Sequence, residues 1–213
     1  MADYYNRLAE SSKNRWGSLV PKAWQLAYFP ARSDEGMQYY REMQYCVDFA
    51  FANRKLMMDR IVEIFIDVCK GRISFEKMIN IAHNFATPEY HFGKKVYIHR
   101  KGATPAEKGM SGIIPGSQGS SSFIVRGLGN PESFRSCSHG AGRKMGRKQA
   151  VRQLDLREEK KKLDQQGILH SIKSQRDLDE AMGAYKDIEK VMENQRDLVD
   201  IDVHLAPLAV VKG

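Results

Sequence analysis

The apolar pattern of this chain changes period once in its first half, and that change constrains the fold more than any other feature. Apolar residues recur at three- and four-residue spacing at Met37, Tyr40, Met43, Val47, Ala50 and Phe51. They resume at Met57 or Met58, then Ile61, Ile64, Phe65 and Val68. This is the period of a helix with one apolar face. Ser33 before Asp34 and Glu35 offers an N-cap and first-turn acids, and Gly71 offers a stop. The spacing predicts one long helix, or two broken near Asn53, with its methionine and aromatic stripe packed as core. After Arg72 the period is lost. Lys95 to His99, Gly112 to Ile114 and Ser122 to Val125 read as strands between Gly, Pro and Ser clusters. From Lys144 a charged helical character returns, with Glu158 facing Lys162, and Gly167 ends it. Asp177 then caps a second amphipathic helix with Leu178, Ala181, Tyr185, Ile188 and Met192 on one side. The apolar end, Leu205 to Val211, is expected to dock as a strand. The class is therefore α+β, a mixed β-sheet core with flanking helices. Residues 1–32, with Trp16, Pro21, Trp24 and Pro30, read as an irregular N-terminal arm ahead of a folded part over 33–213.

Charge and cysteine usage narrow the partners. Lys and Arg number 34 against 26 Asp and Glu, a net charge of +8 over 213 residues, which favours a polyanion such as RNA, DNA or a nucleotide. No apolar run reaches the roughly 18–20 residues of a membrane span, and Met1-Ala2-Asp3-Tyr4-Tyr5 lacks the apolar stretch of a secretory signal. Cys46, Cys69 and Cys137 are isolated, with no CxxC. This excludes a zinc ribbon or thioredoxin-like motif and suits a reducing, cytoplasmic setting.

Three segments carry side chains suited to chemistry. The first is Ala82-His83-Asn84, with Glu89 and His91 following. His83 alone reads more readily as a satisfied core histidine than as a metal ligand, and His83, His91 and His99 share no standard zinc spacing. The second runs from His99-Arg100-Lys101-Gly102-Ala103 to Pro115-Gly116-Ser117-Gln118 and Ser120 to Ser122. Its hydroxyls and amides suit a nucleobase edge or phosphate oxygens, or form a plain polar hairpin loop. The third is Ser138-His139-Gly140-Ala141-Gly142-Arg143, with Arg147 beyond. Bare amides ahead of a helix starting near Lys144 would bind phosphate, and His139 at its mouth could attack phosphorus or bind a metal. An ordinary glycine-rich turn is the competing reading. Neither GxGxxG nor GxxxxGK[ST] is present.

Taken together, the segments resemble the bacterial-type RNA-splicing ligase RtcB family. The stretches that carry the resemblance are 49–54, 82–84, 99–103, 113–117, 138–143, 184–188 and 210–213, in family order. The resemblance implies a ligase that joins RNA 2′,3′-cyclic phosphate or 3′-phosphate ends to 5′-hydroxyl ends, using GTP and Mn²⁺, by way of a guanylated histidine. It assigns that role to His139 and a manganese ligand to His83, with Asn84 beside the nucleotide. Pro115, Gly116, Ser117, Gln118 and Ser122 would line the guanylate pocket. Gly140, Ala141 and Gly142 would hold its phosphate, and Lys212, with Tyr185 nearby, would reach the guanine. Arg143 and Arg147 would meet RNA phosphates.

The chain departs from the family pattern at Gln118, Gly146 and Met182, where Met, Ser and Pro are usual. Members are also roughly twice as long, and the resemblance covers only the C-terminal portion. The Asp and Cys ligands, two further metal histidines and an Asn-His segment of the N-terminal half have no counterpart here. Two functions therefore compete: a ligase completed by a separately encoded N-terminal half, and a non-catalytic remnant or guanylate- or RNA-binding module. A self-sufficient ligase is disfavoured, because one histidine cannot hold two manganese ions.

Overall fold

In a computed structural model the described residues are 1–16, 20–24, 26–70 and 78–211. The chain divides into two compact units, Met1–Arg72 and Ile73–Gly213.

The first unit is helical. Helix α1 spans Ala2–Ser12, within the segment expected to be an irregular arm. Tyr5 and Ala9, one turn apart, are its buried residues, and the Tyr5 ring packs edge-on against Phe29 at 6.1 Å and Tyr39 at 5.0 Å. The tryptophans and prolines belong to the connection beyond it. Helix α2, Asp34–Cys69, is a single unbroken helix, and the Ser33 side chain accepts the Gly36 amide at its start. Lys70 ends it in the left-handed region at φ 52°, with its N–H on the Ile66 carbonyl.

The stripe along α2 is not core. Its one fully buried residue is Gly36, whereas Phe49, Met57, Ile61, Ile64, Phe65 and Val68 are exposed. A helix of this length runs about 54 Å at 1.5 Å per residue, and the aromatic cluster with α1 involves only its first turns.

The second unit is α+β, as the sequence indicates. Strands β1 (Asn84–His91) and β2 (Lys94–Lys101) form a hairpin. Phe92 and Gly93 turn it with φ of 49° and 76°, the mirror-image turn that matches strand twist. Strand β3 (Ala103–Pro105) pairs antiparallel with β6 (Ser136–Ser138). Strands β4 (Ser111–Ile114), β5 (Ser122–Gly127) and β8 (Val199–Leu205) make a three-stranded antiparallel sheet in the order β4-β5-β8. Strand β7 (Leu169–His170) runs parallel to β9 (Ala209–Val210), so the apolar end does dock as a strand.

The helices of this unit are shorter than the sequence suggests. Helix α3 is Arg147–Gln153, α4 is Leu156–Gln165 and α5 is Ile188–Glu193. The expected helix from Asp177 to Met192 is instead two 3₁₀ turns, Gln175–Glu180 and Met182–Ala184, then an extended Tyr185, then α5. The physical reason is tertiary. The Gly183 N–H donates to Glu159 Oε2 at 3.1 Å, and Tyr185 forms a bridge with Arg143. Both commitments pull the backbone out of helical register. Lys162 pairs with Glu159 one turn earlier rather than with Glu158.

Two apolar clusters hold the unit. Ile114, Phe123, Val125 and Val199 pack on Ile188 and Met192 of α5. Leu163, Ile168, Ile172, Leu178 and Ala181 form the other. Burying each such side chain contributes about 1.5–3 kcal/mol. The first cluster sits directly under the loops that carry the candidate site.

Candidate functional site

Strand pairing brings His83 and His139 together. Asn84 opposes Lys101 in the hairpin, so His83 enters beside Gly102. Ala103 opposes Ser138, so His139 leaves β6 beside the same glycine, and its N–H donates to the Gly102 carbonyl at 3.4 Å. Gly102, at φ 77°, makes the corner between β2 and β3. The two imidazoles meet edge to face with ring centroids 5.3 Å apart. His83 is exposed and His139 half-buried. His99, two residues before Lys101 in β2, pairs with Ala86 instead.

The loop after His139 rests on the serine loop. The Ala141 N–H donates to the Pro115 carbonyl at 3.0 Å, and a Cβ on Gly140 would lie 3.0 Å from that oxygen. Ser138 is held from below, its N–H on Gln195 Oε1 at 2.9 Å. In the serine loop the Ser117 N–H donates to Ser120 Oγ at 2.7 Å and the Gly116 N–H to Ser122 Oγ at 3.3 Å. Ser120 and Ser122 thus shape the loop. The Gln118 side-chain oxygen is buried without a hydrogen-bond partner.

The expected helix start at Lys144 is corrected: α3 begins at Arg147, with Gly146 as N-cap. The Lys144 and Met145 amides are already committed to the Ala184 carbonyl. The glycines at 140 and 142 therefore do not sit at the N-terminus of α3.

A cavity of about 450 Å³ opens between the serine loop, α4 and the Met182–Glu189 segment. Ser117, Ser120, Ser121, Lys144, Tyr185 and Lys186 are among its lining residues, and Ala206 and Pro207 close one side. Its size suits a nucleoside. A larger recess of about 620 Å³ lies over α3. All its lining residues fall within Gly146 to Gln153, including Arg147, Lys148 and Arg152, so it is a basic surface rather than an enclosed site.

Arg143 is firmly held. Its guanidinium donates to Glu180 at 3.1 Å, to the Tyr185 hydroxyl at 2.9 Å, to the Met145 carbonyl at 2.9 Å and to the Asp179 carbonyl. It also lies 4.8 Å above the Tyr185 ring. Tyr185 donates its own proton to Glu180. Burial raises the Tyr185 phenol above its usual range, Glu180 adds to that rise, and Arg143 opposes it. Arg147 is mostly exposed and meets Glu180 at 3.0 Å.

One cluster was not singled out in the sequence. Arg100 is 2% exposed and forks onto Glu89 at 2.5 and 3.1 Å. It also donates to Ser136 Oγ at 3.0 Å and the Phe134 carbonyl at 3.1 Å. His91 meets the same carboxylate at 2.7 Å. Burial alone would raise Glu89, but its bonds from Arg100 and His91 and their charge outweigh burial and hold it below the usual carboxylate range. The network ties the hairpin that brings in His83 to the loop that leads to His139. In the hairpin register Glu89 lies opposite Val96 and Arg100 opposite Phe85, so no facing acid–base pair signals the network in the sequence.

No group of three His, Cys, Asp or Glu among the described residues could hold a metal ion. Lys212 lies outside the described residues, and no described helix is long and apolar enough to cross a membrane.

The sequence family defined as tRNA-splicing ligase RtcB matches residues 1–213. The chain belongs to the RtcB family. It is 37% identical to RNA-splicing ligase RtcB of Escherichia coli K12, over 99% of this chain and 52% of that protein. It is 33% identical to tRNA-splicing ligase RtcB of Thermococcus kodakarensis, over 100% of this chain and 49% of that protein. RNA-splicing ligase RtcB of Mycobacterium bovis is 33% identical over 97% of this chain and 52% of its own length. The chain thus spans about half the length of these three relatives.

Proposed function

We propose that this chain is the C-terminal part of a GTP- and manganese-dependent RNA ligase, completed by a separate polypeptide that supplies the N-terminal half of the RtcB fold. It joins RNA ends carrying a 2′,3′-cyclic phosphate or 3′-phosphate to 5′-hydroxyl ends. Family membership supports the ligase class. The observation that carries the reading to particular residues is the meeting of His83 and His139 at Gly102, on a loop that rests against the serine loop of the cavity.

In this reading a neutral His139 nitrogen attacks the α-phosphorus of GTP. A P–N bond forms, the bond to the bridging oxygen breaks, and pyrophosphate leaves. At a 2′,3′-cyclic end water first attacks the phosphorus, breaking its bond to O2′ and leaving a 3′-phosphate and a 2′-hydroxyl; an RNA 3′-phosphate oxygen then takes the guanylate and frees the imidazole. The 5′-hydroxyl oxygen finally attacks that 3′-phosphorus and expels GMP. Pro115, Gly116, Ser117, Gln118 and Ser122 surround the guanylate, with Asn84, Tyr185 and Lys212 at the nucleotide and Gly140, Ala141 and Gly142 below its phosphate. His83 is one ligand of a metal set whose remaining members come from the other polypeptide. Arg147 faces RNA, and Arg143 acts by fixing Tyr185 and the Gly142 loop.

The incomplete metal set among the described residues favours a second reading, a guanylate- or RNA-binding module. The two separate in one assay. The chain is mixed with GTP, Mn²⁺, a 3′-phosphate RNA and a 5′-hydroxyl RNA, with and without a cognate N-terminal half. Joined product only when both polypeptides are present supports the ligase. Failure of any N-terminal half to restore joining gives the module reading its place.

A further inference from the structure

We propose that Lys186, together with Lys144, forms the subsite of this cavity that takes the phosphates of a bound guanine nucleotide; the proposal rests on the guanylate reading above and deepens it. The amides expected to cradle phosphate are largely committed elsewhere. The Gly140 N–H donates to Ser138 Oγ at 3.3 Å and the Ala141 N–H to the Pro115 carbonyl at 3.0 Å. Charge in the cavity must therefore be met by side chains.

Three lysines line it: Lys144, Lys162 and Lys186. Lys162 is bonded to Glu159 at 2.5 Å. The two acids on the same wall are engaged, Asp187 as the cap of α5, accepting the Glu189 N–H at 3.0 Å, and Glu189 at 3.7 Å from His204. Lys144 and Lys186 have no carboxylate partner among the described residues. Lys144 and Lys186 line the recess without an ion-pair partner among the described residues, which leaves their ammonium groups available to an anion.

The backbone fixes both lysines around the loop that follows His139. The Lys186 N–H donates to the Gly142 carbonyl at 2.9 Å, and the Lys144 N–H to the Ala184 carbonyl at 2.9 Å. The Lys186 stem runs along Gly142: a Cβ built there would sit 3.8 Å from Cδ and 4.0 Å from Cε. Lys186 and Ser117 both line the cavity.

The test is calorimetric titration of the full chain with guanosine, GMP, GDP and GTP at low and high salt. Affinity should rise with phosphate number, and the rise should shrink with salt. Lys186→Ala should weaken GTP about tenfold, the worth of one charge-assisted hydrogen bond, and guanosine less than about twofold. Lys186→Arg should recover most of the loss, and Lys144→Ala should act in the same direction. Equal loss for guanosine and GTP, or unchanged GTP binding, overturns the proposal. Loss of affinity for a 3′-phosphorylated oligonucleotide without loss for GTP overturns it in favour of an RNA phosphate site. A wild-type chain that binds guanosine and GTP equally removes the phosphate subsite and leaves the guanylate reading intact. A wild-type chain that binds neither, with its cognate N-terminal half also present, removes both.

Discussion

Glu89→Gln tests the network that aligns the two histidine loops. The substitution keeps the volume and one acceptor but removes the charge facing Arg100, whose side chain is 2% exposed. Breaking a buried pair from one side costs about 3–5 kcal/mol, because the other charge stays buried. Arg100 keeps Ser136 Oγ and the Phe134 carbonyl, and the Glu89 side chain is 18% exposed. The low end, about 3 kcal/mol, is therefore expected. The assay is urea unfolding with the slope held as a check on the unfolded state. The double variant Glu89→Gln with Arg100→Met should be more stable than Glu89→Gln alone, since no orphan cation remains. The sign with pH is fixed by the depressed Glu89 carboxyl. The contribution is fully present above the ordinary carboxylate pKa of about 4.3 and is lost as pH falls through the lower folded value. That acid-side loss should be missing from Glu89→Gln. A single variant within about 0.5 kcal/mol of wild type, the spread of a neutral surface change, would refute the reasoning.

Three further outcomes follow from the geometry. Ser33→Ala removes the cap that accepts the Gly36 amide at 3.1 Å and should cost about 1 kcal/mol, read by thermal unfolding of the helical signal. Gly116→Ala would place a Cβ 2.1 Å from the Ser121 carbonyl; opening the serine loop should cost about 1–3 kcal/mol and lower GTP affinity in the same titration series. Ile64 is 62% exposed on α2, so Ile64→Lys should leave stability within about 0.5 kcal/mol, read by urea unfolding. A stability loss several times larger would mean that this face is covered.

The elements legible in the sequence were those whose signals are local. Ser33 with Asp34 and Glu35 marked the start of α2, and short apolar stretches between Gly, Pro and Ser clusters marked β2, β4 and β5. The segment from Asp177 to Met192 was misread because its apolar spacing is helical, whereas Glu159, reaching from α4 to the Gly183 amide, breaks it. The burial of the α2 stripe was misread for a related reason. Periodicity shows which face is apolar, not whether anything covers it. At the site, His83 and His139 stood out by residue type and family motif, but their meeting depends on two strand pairings that share Gly102, and pairing across 56 positions leaves no local trace. The Arg100 network was hidden because a charged strand residue reads as solvent-facing until its partner across the hairpin is known.

The central claim is that His139 is the atom-bearing residue of guanylate transfer, and peptide mapping after reaction tests it most directly. The chain and its cognate N-terminal half are incubated with Mn²⁺ and GTP labelled at the α-phosphate, quenched in alkali to preserve a phosphoramidate, and digested. The account predicts an acid-labile label on the peptide that contains His139, and none on that of the His139→Ala variant. Label on another residue, or undiminished uptake by His139→Ala, would contradict it.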